Sequence, residues 1–299
     1  MTTDLGTVAV LGTGLMGAPM AGNLAAAGAD VRVWNRTASR SRATAERYRL
    51  TDTATPAQAA RDVDVLVTML YDADAVDAAL TGPDGALATL RPGTLWLQTS
   101  TVGVAGEARL RALADQHGLA YVDAPVLGSR LPAENGHLVV LASGSDADRR
   151  RAEQLFAPLA ARVEWVGAAG AGSRFKMVVN AWVLALTAAM SEAVSMAEGL
   201  DVDPQVFLRL LDGHPTDAPY ARAKATSMLR RSFEPSAHLA GGHKDTRLVL
   251  EAAEVAGIRP LVMRAVEAQF AAAVDAGHGA EDLAAVYWAA RTTHHDGTE

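Results

Sequence analysis

The chain has 299 residues, 49% of them hydrophobic and 20% charged, with 34 acidic against 27 basic side chains and a net charge of -7. That length allows two domains with a sizeable core, while the composition excludes a disordered or fibrous chain and the acidic balance disfavours a nucleic-acid binder, which needs a basic face. Cysteine is absent, which excludes disulfides, thiolate metal ligation and a cysteine nucleophile and fits a reducing compartment.

The opening "MTTDLGTVAV" carries an acid and no basic segment ahead of its short apolar run. It does not resemble a signal peptide, and a cytoplasmic location is expected. Up to residue 166, apolar runs alternate with Ala-rich segments of helical spacing such as "GVAGEARLRALADQHG". The runs "TVAVLG", "DVRVWN", "VDVLVTML", "GTLWLQTS", "AYVDAPV", "GHLVVLASG" and "RVEWVG" read as buried strands. Such alternation predicts an α/β domain with a doubly wound parallel sheet covered on both faces. The cluster Arg149 to Arg151 reads as the solvated side of one of its helices.

From Gly167 the strand signals stop. "GSRFKMVVNAWVLALTAAMSEAVSMAEGL" and the segments beginning at Pro204, His243 and Leu261 read as helices, broken near "DGHPTDAP" and "AGIRP". The prediction is a nucleotide-binding domain over residues 1–166 followed by an all-α domain over 167–299. The apolar stretch from Phe175 to Ala189 is interrupted by Lys176 and Asn180 and falls short of the roughly twenty residues of a membrane span. The eight histidines form no metal-ligand constellation, and the tail "TTHHDGTE" is expected to fray. No internal repeat or low-complexity linker is visible.

Three stretches carry chemistry. The first is Gly12-Thr13-Gly14-Leu15-Met16-Gly17, which sits between a predicted strand and a predicted helix, the context that gives a glycine-rich loop its meaning. Gly12 permits a tight turn, Gly14 lets backbone approach a pyrophosphate, and Gly17 allows close helix packing. The helix N-terminus then offers N–H groups to phosphate. About twenty residues on, where an NAD-binding loop places an acid on the ribose 2′-hydroxyl, the chain has Asn35, Arg36 and Thr37. A guanidinium suits a 2′-phosphate by charge and by its fork of donors, so the expected cofactor is NADP. The plain alternative is an Arg36 that merely points to solvent.

The second stretch is the apolar helix from Phe175, in which Lys176 and Asn180 stand four apart on one face. A buried ammonium needs a partner or a task. Gly172 and Ser173 make a plausible helix start that puts Lys176 in the first turn, where the helix dipole and desolvation lower a lysine pKa. A lysine tuned that way can exchange a proton near neutral pH. A lysine that snorkels to the surface is the competing explanation. The third feature is a pair of strand ends. "LWLQTSTVG" puts Thr99, Ser100 and Thr101 at the carboxyl edge where ligands collect in open sheets, and "VDAPVLGSRLPAENGHL" places a Gly-Ser turn after another strand.

The order "VLGTGLMGAPMAGNL", "NRT", "TSTV", "DAPVLGS", "GAGSRFKMVVN" and "GGHKD" resembles the β-hydroxyacid dehydrogenase family, which includes 3-hydroxyisobutyrate dehydrogenase, succinic semialdehyde and glyoxylate reductases and, more distantly, 6-phosphogluconate dehydrogenase. The resemblance runs from Val8 to at least Asp245. It implies a Rossmann domain joined by a long interdomain helix to a helical substrate and dimerisation domain, and a homodimer or homotetramer. It also implies that Lys176 is the catalytic lysine, that Asn180 orients substrate, that Thr101 lies by the nicotinamide, that Lys244 binds cofactor with Asp245 near the site, and that Met69 and Leu70 border the dinucleotide. Tyr71 occupies a place where the family often has Pro.

The substrate loop departs from the family. Its carboxylate-binding pattern D-A-P-V-S-G-G becomes Asp123-Ala-Pro-Val-Leu127-Gly128-Ser129, so an apolar side chain replaces a hydroxyl and a serine replaces a glycine of a tight turn. The expected activity is transfer of hydride between NADPH and a small aldehyde or keto acid, or the matching 3-hydroxy acid. A related imine reductase, sharing "WNRT" and acting on less polar C=N substrates, fits Leu127, although such enzymes carry Asp or Tyr where this chain has Lys176. A non-catalytic dinucleotide-binding sensor or scaffold would lack the lysine and asparagine that are both present.

Overall fold

The computed structural model describes residues 5–291; "MTTD" at the start and the tail "TTHHDGTE" lie outside the described residues. The chain divides into two compact units, Met1–Met177 and Val178–Glu299.

In the first unit the elements run β1 (Thr7–Leu11), α1 (Gly17–Ala26), β2 (Asp30–Trp34), α2 (Ala38–Tyr48), β3 (Thr51–Asp52), α3 (Pro56–Ala59), β4 (Val65–Thr68), α4 (Ala73–Thr81), β5 (Leu95–Gln98), α5 (Gly103–Gln116) and β6 (Ala120–Asp123). They are followed by β7 (Val126–Leu127), α6 (Arg130–Glu134), β8 (Leu138–Ala142), α7 (Asp146–Phe156), β9 (Ala160–Trp165) and the start of α8 (Ala171–Gly199). Six strands form a parallel sheet in the order β3-β2-β1-β4-β5-β6, the doubly wound arrangement with its topological switch beside β1. In register, Val8 faces Val31 on one side and Val65 on the other.

Because strand side chains alternate, each buried strand feeds two cores. Val8 and Val10 pack with Val67 and Leu97 on one face. Ala9 and Leu11 pack with Leu66 and Trp96 on the other, where Trp96 meets Tyr121 edge to face at 5.1 Å. Two details differ from the sequence expectation. The short edge strand β3 falls outside the apolar pattern because both its residues are exposed. The run "AYVDAPV" is two strands, and β7, β8 and β9 form a separate sheet in which β7 and β8 are antiparallel. The break follows Asp123, which pairs with Ser143 in an isolated antiparallel bridge, so the chain leaves the parallel sheet there.

The second unit continues α8 and adds α9 (Pro204–Leu211), α10 (Pro219–Arg230), α11 (Leu239–Val255) and α12 (Leu261–Asp275), then two short 3-10 segments, His278–Ala280 and Leu283–Ala290. Breaks fall where "DGHPTDAP" and "AGIRP" signal them. The helix α8 has 29 residues and is long and apolar enough by length and composition to cross a membrane, unlike the shorter stretch from Phe175 to Ala189 considered alone. Its buried side is that of a core helix. Ser191 is fully buried, donates to the Ala188 carbonyl at 2.8 Å and accepts from Gln269 Nε2 at 2.9 Å.

The second unit is pinned by a buried ion pair. Lys224 Nζ donates to Asp282 Oδ1 at 2.6 Å, and Asp282 also accepts from the Ser236 amide at 2.9 Å, the Ser236 hydroxyl at 2.7 Å and the Ala284 amide at 2.9 Å. Burial alone would raise this carboxyl, but the Lys224 charge and the hydrogen bonds hold it below the usual carboxylate range. Stability from the pair is therefore present above the unfolded-state pKa and lost as pH falls through the lower folded value. Lys224→Met, which strands the buried carboxylate, is expected to cost about 3–5 kcal/mol at neutral pH. Denaturant titrations at neutral and strongly acidic pH check this, and the gap between variant and wild type should narrow in acid.

Candidate active site

The glycine loop leaves β1 at the switch point. Gly12 has φ +105°, and a Cβ there would sit 2.1 Å from the Met69 carbonyl oxygen, so only glycine fits. A Cβ on Gly17 would lie 2.0 Å from the Gly12 oxygen, as expected where α1 packs against its own loop, while a Cβ on Gly14 would meet nothing within 4 Å. Nothing in the chain forbids a side chain at Gly14, so close approach of a ligand is the remaining physical reason for glycine there. Thr13 is buried, and its Oγ1 has no hydrogen-bond partner among the described residues. A buried orphan hydroxyl beside a helix N-terminus is the arrangement a phosphate oxygen satisfies. Leu15 and Met16 are half-buried at the loop's end.

Asn35 ties this loop to the end of β2. Its Oδ1 accepts from the Thr13 amide at 3.2 Å and its Nδ2 donates to the Thr37 carbonyl at 3.2 Å. Arg36 and Thr37 are exposed, and Thr37 caps α2 without using its side chain. No carboxylate stands at 35–37. These residues fit a dinucleotide.

At the ends of β4 and β5 most hydroxyls are already engaged. Thr99 Oγ1 donates to the Thr68 carbonyl at 2.7 Å, and Ser100 Oγ accepts from the Leu70 amide at 2.9 Å and donates to the Thr68 carbonyl at 3.2 Å. Both residues are buried. The turn therefore positions Met69 and Leu70, and Thr101, half-buried ahead of α5, is the residue of the three that stands nearest the surface.

The start of α8 lies against β6 and β8. A Cβ on Gly172 would come within 2.2 Å of the Leu141 carbonyl oxygen. Asp123, fully buried at the end of β6, accepts from the Ser173 amide at 2.8 Å, the Ser173 hydroxyl at 2.7 Å, the Ser143 hydroxyl at 3.1 Å and the Gly170 amide. Burial pushes this carboxyl above its ordinary range, and the hydrogen bonds pull it partly back. Sequence reasoning passed over Asp123 as a site residue. The available signal was an acid inside the apolar run "AYVDAPV".

Lys176 donates from Nζ to the Val126 carbonyl at 2.8 Å, immediately before the departing loop. In that loop Leu127 is half-buried, Gly128 is exposed with φ +128°, and Ser129 begins α6 without a side-chain cap. Two expectations are corrected. The helix begins at Ala171, so Lys176 is in its second turn, beyond the strongest dipole field, and the lysine is half-buried rather than buried.

Within the second unit, three expected residues come together. Asn180 Nδ2 donates to Asp245 Oδ2 at 2.9 Å, and Lys244 Nζ pairs with Asp245 Oδ1 at 2.8 Å. Asn180 and Lys244 are buried. Among the described residues, no group of His, Asp and Glu could hold a metal ion.

Comparison with known proteins agrees with this geometry. Residues 7–167 match the family model for the NAD binding domain of 6-phosphogluconate dehydrogenase, and residues 170–289 match that for the NAD-binding region of NADP-dependent 3-hydroxyisobutyrate dehydrogenase. The chain is 30% identical over 288 residues to glyoxylate/succinic semialdehyde reductase 2 of Arabidopsis thaliana, covering 95% of this chain and 79% of that protein. It is 32% identical over 276 residues to a probable 3-hydroxyisobutyrate dehydrogenase of Mycobacterium tuberculosis, covering 89% and 92%. A solved structure of 3-hydroxyisobutyrate dehydrogenase from M. tuberculosis with L-serine superposes with a TM-score of 0.85 at 29% identity, over 96% of this chain and 99% of that one.

The two loop glycines should respond differently to one methyl group. Gly12→Ala is expected to destabilise the fold by more than about 1 kcal/mol, whereas Gly14→Ala should leave the melting temperature unchanged and weaken dinucleotide binding. Thermal denaturation with and without cofactor, beside calorimetric titration, separates the two effects.

Proposed function

The chain belongs to the β-hydroxyacid dehydrogenase family and is an NAD(P)-dependent oxidoreductase, and from that premise we propose that it is an NADP-dependent reductase of a small aldehyde or keto acid, or the matching 3-hydroxy acid dehydrogenase, with Lys176 as proton donor and acceptor. Lys176 is the observation that carries the reading. Its ammonium stands on a helix segment that is apolar but for itself and Asn180, half-buried, and is held at 2.8 Å by a backbone carbonyl next to the Leu127 to Ser129 loop. Residues 1–166 would bind the dinucleotide and 167–299 would form the substrate and dimerisation domain.

A nicotinamide dinucleotide held by the Gly12 to Gly17 loop would supply the hydride chemistry. Lys176 then has one task, to deliver a proton from Nζ to the carbonyl oxygen as negative charge develops there, and to take it back in the oxidative direction. Asn180, one turn further along α8, has its amide held by Asp245 and so can present its remaining polar groups to substrate in a fixed orientation. Lys244 and Thr101 are assigned to the cofactor, and Leu127, Gly128 and Ser129 to the substrate.

Preference for NADP rests on Arg36. It is exposed and forms no ion pair among the described residues, at the place where an NAD-specific loop puts a carboxylate that repels a 2′-phosphate. A second substrate reading rests on Leu127, whose apolar side chain suits neutral carbonyls or imines better than carboxylates. The solved relative holds L-serine, a 3-hydroxy acid, which supports the acid reading. Exposed Val178, Trp182 and Met196 on α8 support a homo-oligomer, since apolar patches of that kind mark interfaces.

The deciding experiment follows NADPH oxidation with glyoxylate, succinic semialdehyde, neutral aldehydes and cyclic imines. Strong turnover of the acids supports the first reading, and turnover confined to neutral substrates supports the second. Lys176→Ala should lower kcat by about a hundredfold or more with NADPH affinity intact; near-normal turnover would remove Lys176 from the mechanism. Arg36→Ala should raise the Kd for NADPH by about tenfold or more while hardly changing that for NADH, as titration of both cofactors would show.

A further inference from the structure

We propose that Asp123 is a positioning residue that sets the place of the Lys176 ammonium. The inference rests on the reading of Lys176 as the proton donor. An α-helix leaves its first N–H groups without partners of its own, and at α8 they are met from outside the helix. Gly170 and Ser173 donate their amides to Asp123, Ser173 adds its hydroxyl at 2.7 Å, and Gly172 donates its amide to Ser143 Oγ at 2.9 Å. Ser143 in turn donates to Asp123 Oδ2 at 3.1 Å and pairs its backbone with that of Asp123 through amide-to-carbonyl distances of 2.8 and 2.9 Å.

The carboxylate sets one end of the lysine's geometry against a strand run that fixes the other. Ser173, three residues before Lys176, fixes the height and rotation of the helix that carries the side chain. Val126, three residues after Asp123 in the same extended run, supplies the carbonyl that receives Nζ at 2.8 Å. The run cannot slide to compensate, because Ala124 donates to the Gln98 carbonyl at 2.8 Å and Leu141 donates to the Pro125 carbonyl at 2.9 Å. A turn of helix is a rigid spacer, so an error at Ser173 is transmitted to Lys176. Asp123 does not touch the reacting atoms on this account.

Asp123→Asn keeps the shape but turns one of two acceptor oxygens into a donor, where Oδ2 receives the Ser173 amide and Oδ1 the Ser173 hydroxyl. The expected result is a fall in kcat of roughly tenfold to a hundredfold, the loss that ångström-scale misplacement produces, with KM and the Kd for NADPH unchanged. A second readout needs no turnover. Lys176, Lys224 and Lys244 are the chain's only lysines, so acetylation of the cofactor-free protein in mildly alkaline buffer, resolved by peptide mass spectrometry, reports on Nζ of Lys176 against Lys224 as an internal reference. Lys176 released from the Val126 carbonyl should acetylate faster relative to Lys224 in Asp123→Asn.

Ser173→Ala, which removes one of the hydrogen bonds and retains the amide contact, should show the same changes in smaller measure, and it decides the question if Asp123→Asn does not fold. Wild-type kcat and wild-type labelling in folded Asp123→Asn, or in Ser173→Ala where the first variant fails to fold, would overturn the proposal and reduce Asp123 to a stabilising cap. Lys176→Ala run in parallel separates the two claims. If it retains turnover, the proton-donor reading fails; if it is inactive while the Asp123 and Ser173 variants match wild type in kcat and labelling, only the positioning inference fails.

Discussion

A helix that begins against the strands of a sheet must find partners for its first N–H groups among those strands, and at α8 they are Asp123 and Ser143. This junction governs more than the helix start. The chain leaves the parallel sheet after Asp123, begins a second sheet at Val126, and returns through β8 to supply Ser143. The departure of "DAPV" from the main sheet and the beginning of α8 are thus one structural event, built around a carboxylate with no exposed surface. Burying that charge costs free energy, which the gathered donors offset. Rigidity is the return, since a side chain with four partners cannot shift without breaking several bonds together.

The cofactor loop is built by a different kind of constraint. Its geometry comes from exclusion, with backbone at Gly12 and Gly17 approaching other backbone too closely for any side chain. Asn35 then stitches the loop to the turn that presents Arg36. One neutral residue at this place does two jobs. It supplies the contact that orders the loop, and it leaves the neighbourhood of Arg36 without the negative charge that an acid would bring.

Much of this was legible in the sequence, and what was not has physical reasons. The strands and their parallel, doubly wound sheet follow from alternating apolar runs and a glycine loop in the right context, because buried parallel strands have no polar face to blur the signal. The two-residue β3 was not legible, since an exposed edge strand carries no apolar pattern. The division of "AYVDAPV" into two strands depended on Ser143, twenty residues away, and no local propensity encodes that pairing. Gly172 and Ser173 resemble a cap in the sequence, but the helix begins at Ala171, so they lie within its first turn with their amides capped from β6 and β8, and Lys176 falls in the second turn. Asp123 was hidden for the same reason: a lone acid in an apolar run gains its meaning only from the donors that the fold brings to it.

Leu127 is where these constraints meet the question of substrate. It follows the carbonyl that holds Lys176 and precedes Gly128, whose φ of +128° no other residue adopts comfortably. The backbone on both sides is therefore fixed, and a change of side chain at 127 alters the chemistry presented to a ligand without moving the lysine. In such an arrangement the placement of Lys176 and the side chain at 127 can vary independently. On the proposed reading, an apolar group in place of a hydroxyl would remove a hydrogen bond to a carboxylate and lower the desolvation penalty for a neutral carbonyl, leaving the lysine in place for either class of substrate. Selectivity at this position would then rest on which substrate loses fewer hydrogen bonds on leaving water, while the carboxylate at Asp123 fixes the start of the helix that carries Lys176.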